Sequence, residues 1–190
     1  MHIILNQDFN NNFATFATFL ADSTNLNEKV KYIEDARLKY DSYDYKYWKK
    51  AYFDEETGGF NVYHIRHEFA KTGGGGEAEI IVGKILAKIN NKQVEFLPEG
   101  GKKQPDIKFD EQTWDIKYID KANEQTVRNY IKDAKKADNA IFYFTKEEKY
   151  QLLKSATDRE AGRFLSRQTN RIPNIYFIDQ NGYLKLLWKK

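Results

Sequence analysis

Cysteine is absent from all 190 residues, which excludes disulfides, iron–sulfur clusters and a cysteine nucleophile. That absence is compatible with passage through an oxidising space without requiring it. Apolar runs are short, and none approaches the roughly 20 residues that a membrane-spanning helix needs. Met1 to Leu20 lacks the basic start and long apolar stretch of a signal peptide. The expectation is a soluble chain acting in a cytoplasm, carried there by something outside these residues if it is secreted. Internal repeats and long low-complexity tracts are missing too. Thr72–Gly76 is a glycine loop before a helix, but it lacks the Gly-Lys-Ser/Thr of a P-loop and no strand leads into it. Its expected role is a mobile entrance, not a nucleotide cradle.

Aromatic side chains are plentiful: 13 Tyr, 13 Phe and 3 Trp, enough with 41% hydrophobic content to pack one sizeable core. Charge is uneven. Residues 1–70 carry 8 Lys/Arg against 11 Asp/Glu, and residues 71–190 carry 23 against 17. The basic part suits a polyanion, although a lysine-rich solvated surface has the same composition.

Residues 1–50 are expected to form a helical appendage. Phe9, Phe13, Phe16, Phe19 and Leu20 recur at helical spacing, and Leu26–Leu38 offers a second helix. Tyr40, Tyr43, Tyr45, Tyr47 and Trp48 could stack on bases, but packing against the main domain or a partner is the simpler expectation. Residues 51–190 are expected to form the main domain. Ala51–Ile65 reads as a hairpin turning through Asp54–Gly59. An amphipathic helix follows over Glu77–Ile89, with Ala78, Ile81, Val82, Ile85, Leu86 and Ile89 as its buried stripe. Gln93–Leu97 is a strand. Ile107–Phe109 and Thr113–Ile119 alternate around the polar turn Asp110–Gln112, so they form a second hairpin. A helix over Asn123–Ala137, a strand over Asn139–Phe144, a helix over Lys149–Leu165 and a closing hairpin with an Asn181-Gly182 turn complete the order.

The chemistry concentrates at Gln104–Lys117. Period-two alternation places Asp115 and Lys117 on one face of their strand. Across the hairpin, Asp106 or its neighbours lie opposite residues 115–117. Two carboxylates and an ammonium can therefore meet on one strand pair. Mg²⁺ is commonly held by one or two carboxylates with water and phosphate. So held, it polarises a phosphoryl oxygen and acidifies a bound water. Lys117 would orient or deprotonate that water, or stabilise the growing negative charge. Taken alone, Asp-x-Lys on a strand is more often part of a solvated face.

Upstream, Glu77 and Glu79 lie in the first turn of a helix. Glu77 sits beside Lys84 and Lys88. Glu79 borders Gly83 and Leu86, where a glutamate needs another reason to be. Glu79 is the expected helix-borne ligand or water-orienting acid, Glu77 the second choice, and either could complement the helix dipole. His64 and His67 are expected at a hairpin end near the glycine loop, with RNA binding, acid–base work or metal binding as sharper alternatives.

The order of elements and the residues Gly76-Glu77-Ala78-Glu79, Leu97-Pro98-Glu99-Gly100, Pro105-Asp106 and Trp114-Asp115-Ile116-Lys117 resemble the PD-(D/E)XK nuclease superfamily. Within it, residues 73–145 look most like the C-terminal tRNA-nuclease domains of contact-dependent growth-inhibition toxins, a domain also found on phage minor head proteins. The resemblance implies an α/β fold with a restriction-endonuclease-like core: a mixed central sheet flanked by helices. It implies a metal-dependent endonuclease using Asp106, Asp115, Glu79 and Lys117 with Mg²⁺, Mn²⁺ or Zn²⁺. tRNA is the implied substrate and an immunity protein the implied partner. Glu99 is a further candidate for the metal, and Lys102, Lys103 and Arg128 for phosphate. Three alternatives stay open: a DNase of restriction or repair type, a metal-independent RNase using His64 and His67, and a binding module with a decayed site.

Overall fold

The computed structural model describes residues 26–69, 74–98, 104–167 and 171–190. The helical stretch expected near Phe9–Leu20, and Glu99, Lys102 and Lys103, lie outside them. In chain order the elements are α1 (Leu26–Ser42), β1 (Trp48–Phe53), β2 (Phe60–His64), α2 (Gly75–Lys88), β3 (Gln93–Phe96), β4 (Ile107–Phe109), β5 (Gln112–Tyr118), α3 (Glu124–Asp133) with a 3₁₀ turn (Ala134–Lys136), β6 (Asn139–Tyr143), α4 (Glu148–Leu165), β7 (Asn174–Ile178) and β8 (Leu184–Trp188). The boundary expected at residue 50 falls inside β1.

All eight strands join one mixed sheet, in the order in which they occur along the chain. β2 and β3 are parallel, as are β5, β6 and β7, and the other neighbours are antiparallel. Helices make the parallel crossovers: α2 from β2 to β3, α3 from β5 to β6, and α4 from β6 to β7. Local chemistry sets the turns. Asp54 Oδ1 accepts from the Glu56 and Thr57 amides at 3.1 and 3.0 Å, closing the β1–β2 loop. The β4–β5 turn has Asp110 and Glu111 both at positive φ, 49° and 58°, which a two-residue hairpin loop demands. The Asn123 side chain caps α3 by accepting from the Thr126 amide at 2.8 Å.

Each face of the sheet is covered. On one, Val82 and Leu86 of α2 pack on Val94, Phe96, Ile107, Trp114, Ile116 and Ile141. On the other, Val127 and Ile131 of α3 and Leu153 and Ala156 of α4 pack on Ile119, Ala140, Phe142 and Ile175. Tyr40 of α1 covers Phe60 and Val62, with Tyr43, Trp48 and Phe53 around them. Those members of the tyrosine-rich stretch are thus packed rings, whereas Tyr45 is 90% exposed.

The buried stripe of α2 differs from the one its sequence suggests. Val82, Gly83, Leu86 and Ala87 are buried, while Ile81 and Ile89 are exposed. Close approach decides this. A Cβ on Gly83 would stand 2.8 Å from the Phe96 ring, and one on Gly59 would stand 1.9 Å from the Ala87 carbonyl oxygen. Gly83 and Ala87 let the helix approach closely beside Val82 and Leu86, and Ile81 and Ile89 are turned outward. The rotation also turns Glu79 inward.

Candidate active site

Strand parity puts the acids together. Ile107 pairs with Trp114, and both point to the α2 face, so Asp106 and Asp115 share the opposite face. Asp106 stands just before β4. Its amide donates to the Trp114 carbonyl at 3.0 Å, and its Oδ2 accepts from the Ile116 amide at 2.7 Å. Asp115 is fully buried. Lys117 Nζ lies 2.7 Å from its Oδ2 and Lys136 Nζ lies 2.9 Å from its Oδ1. Lys136 Nζ is also 3.5 Å from Asp106 Oδ1. One ammonium therefore bridges the two carboxylates and another flanks them.

This cluster is electrostatically tense. Burial and the Asp115 carboxylate push the Asp106 carboxyl up to about 7, against the pull of Lys117, Lys136 and the Ile116 amide. Burial works against the charge on Lys136, but Asp106 and Asp115 outweigh it and hold its proton more tightly than usual. Neither oxygen of Asp115 accepts a well-angled hydrogen bond; both are served by charge proximity alone. A buried and a part-buried carboxylate with acceptor capacity to spare make a donor set suited to a hard, oxygen-seeking cation such as Mg²⁺. Among the described residues, no group of three or more His, Cys, Asp or Glu side chains is placed to hold a metal. Asp106 and Asp115 are the carboxylates gathered there.

Glu79 reaches toward this region through a histidine. Its side chain is 12% exposed, with Oε2 3.4 Å from His67 Nε2. His67 Nδ1 lies 2.8 Å from the Leu97 carbonyl oxygen, and the Leu97 amide donates to the Asp106 carbonyl at 2.9 Å. Burial would lower the His67 pKa, but the Glu79 carboxylate, the Leu97 carbonyl and the Asp106 charge together raise it above its ordinary value. Glu77 is exposed on the outer side of the same helix turn. His64 has partners of its own, stacking edge-on against Trp48 and accepting from the Arg66 amide at 3.1 Å. The two histidines thus face different surroundings.

Arg128 is engaged elsewhere: its Nε donates to Glu160 Oε1 at 2.7 Å. Two further groups went unseen in the sequence. Lys136 lies 21 positions beyond Asp115, where no strand or helix periodicity links them. Glu160 sits fully buried inside an otherwise charged helix, and its sequence neighbours give no sign of that.

Residues 102–184 match the family model of the contact-dependent growth inhibition CdiA C-terminal domain. That span covers less than half of the chain. It includes Asp106, Asp115, Lys117 and Lys136 and leaves out His67 and Glu79. Among solved structures, the chain is similar to a "CdiA-CT/CdiI toxin and immunity complex from Burkholderia pseudomallei", with a TM-score of 0.43 and 15% identity over 65% of this chain and 96% of that one. No curated protein sequence matches. Among the described residues, no helix is long and apolar enough to cross a membrane.

Proposed function

We propose that this chain is a metal-dependent endonuclease of the PD-(D/E)XK type, acting as a growth-inhibition toxin domain on tRNA in the cytoplasm of a target cell. One observation carries the reading: the buried carboxylate of Asp115 on β5 and the part-buried one of Asp106, just before β4, share a bridging ammonium, and the Asp106 carboxyl is pushed up to about 7. Such a cluster favours added positive charge, and a phosphate substrate bound through a divalent cation supplies its anionic complement. The match of residues 102–184 to the CdiA C-terminal domain supports the toxin role, and with it a cognate immunity protein that blocks the site.

In this reading Asp106 and Asp115 hold Mg²⁺ or Mn²⁺. The bound ion would acidify a water and polarise the scissile phosphate. Lys117 and Lys136 stand within 3 Å of the Asp115 oxygens, placed to orient the attacking water and to neutralise charge on the phosphoryl oxygens. His67, whose two ring nitrogens are taken by Glu79 and the Leu97 carbonyl, would steady the Leu97–Asp106 backbone pairing beside the cluster. Glu79 orients the ring and raises its pKa. Glu99, Lys102 and Lys103 belong to the segment that leads into Asp106, and remain the proposed further acid and phosphate contacts.

The test is cleavage of total tRNA and of plasmid DNA, with Mg²⁺ and with EDTA, by wild type and Asp115→Asn. The expected result is Mg²⁺-dependent loss of tRNA, reduced at least about 10³-fold in the variant. Cleavage of DNA alone would move the substrate to DNA. Cleavage that survives EDTA would remove the metal and point to the histidines.

A further inference from the structure

We propose that Arg128, Lys132 and Arg163, gathered around the buried Glu160 carboxylate, form a phosphate-binding track that guides a nucleic-acid backbone to Asp106 and Asp115. The proposal rests on the nuclease reading and adds the surface by which the substrate is held.

The ion group is unbalanced. Glu160 of α4 is fully buried, with Oε1 2.7 Å from Arg128 Nε, 3.7 Å from Lys132 Nζ and 3.7 Å from Arg163 Nη1. A buried carboxylate needs a hydrogen-bonded cation, and Arg128 supplies it. The other two cations stand beyond hydrogen-bond distance, with side chains 36% and 39% exposed. Their donors stay available to an outside anion. One carboxylate faces three cations, leaving an excess of two positive charges at a single place between α3 and α4. Such an excess repels itself unless an anion arrives.

Position links this excess to the catalytic cluster. Arg128 and Lys132, four residues apart, share one side of α3, and Lys136 follows in its 3₁₀ extension. Lys136 ends the row between Asp106 and Asp115. At about 1.5 Å of rise per residue the row is roughly 12 Å long. A strand carries a phosphate about every 3.4 Å of axis, so the row can serve about three phosphates. Arg128, locked by Glu160, offers a guanidinium with little rotamer freedom left to lose on binding.

Salt dependence tests the track. Binding of fluorescent tRNA to the full chain in EDTA would be followed across a KCl titration for wild type, for the double variant Lys132→Ala/Arg163→Ala, and for Lys84→Ala. Lys84 is exposed on α2, across the sheet. Arg128 stays in place to satisfy Glu160, and thermal melts confirm that the double variant is folded. Each lost phosphate contact should reduce the slope of log K against log salt by about 0.7 to 0.9. The double variant should then lose about 1.5 in slope, and roughly fifteenfold in affinity at about 0.15 M salt. Lys84→Ala should match wild type. Equal slopes for wild type and double variant would overturn the track while leaving the nuclease reading to its own cleavage test. An equal loss in Lys84→Ala would mean diffuse surface charge and would overturn it as well. A double variant that keeps tRNA but loses binding to polyglutamate would give the surface to an acidic protein instead. No tRNA binding and no cleavage by wild type would remove both proposals together.

Discussion

The candidate site turns on how few polar atoms serve how much buried charge. Asp115 is sealed between two ammoniums, and Asp106 takes a strand amide to offset part of its burial. Beside them the His67–Glu79 pair forms a second unit, with Glu79 Oε2 3.4 Å from His67 Nε2. Glu79, with the Leu97 carbonyl and the Asp106 charge, raises the imidazole pKa against the effect of burial. Residues that act as one unit do not contribute independently. Glu79→Ala and His67→Ala should therefore each lower cleavage by about 10² or more, and the double variant should lose little beyond either single one. Glu77→Ala, on the exposed side of the helix, should stay near wild type. A multiplicative loss in the double variant would separate the two residues, and a larger loss in Glu77→Ala would put the wrong glutamate at the site.

Legibility in the sequence followed the range of the interaction. The β4–β5 hairpin was readable because period two and a polar turn are local, and it carried Asp106, Asp115 and Lys117 to the same face. Val127 and Ile131, four residues apart, form the buried side of α3 on the same local rule. The face of α2 was readable in part: Ala78, Val82 and Leu86 are buried as expected, but a wheel that ranks residues by hydrophobicity favours Ile81 and Ile89 over Gly83 and Ala87. Backbone proximity reversed that ranking. Lys136 and Glu160 depend on how β5, α3 and α4 meet across the sheet, which no local pattern encodes. Gly59 gives the α2 contact a direct test. It sits where β2 passes the end of α2, and an added Cβ would meet the Ala87 carbonyl oxygen at 1.9 Å, a backbone atom that cannot swing aside. Gly59→Ala should cost about 3 kcal/mol, seen as a lower urea midpoint with unchanged m. An unchanged midpoint would show that β2 and α2 can separate freely.

At the scale of the whole molecule, the same buried acid should make stability depend on pH in an unusual direction. Asp106 has an ordinary carboxyl pKa near 3.8 when unfolded and about 7 when folded. Between those values the unfolded chain gives up a proton that the folded chain keeps, so stability falls as pH rises through this window. His67 acts in the same sense. Its raised pKa adds stability that is complete below 6.5 and is lost as pH rises through the folded value. The opposite contributions of Asp54, Asp120 and Asp138, whose carboxyls are held low by hydrogen bonds, vanish only as pH falls below about 3.8, outside this range, and part-buried His64, its pKa lowered by burial and Arg66, opposes only weakly within it. The metal-free protein should thus melt at a lower temperature at about pH 8 than at about pH 5.5. A divalent cation seated on ionised Asp106 must displace a proton at the lower pH and none at the higher. Mg²⁺ should then raise the melting temperature more at pH 8 than at pH 5.5, in proportion to the logarithm of its concentration over its dissociation constant. Asp106→Asn should flatten the metal-free profile through pH 4–7 and abolish the Mg²⁺ shift together. A Mg²⁺ shift of the same size at both pH values, or one that survives Asp106→Asn, would place the ion away from this carboxylate pair.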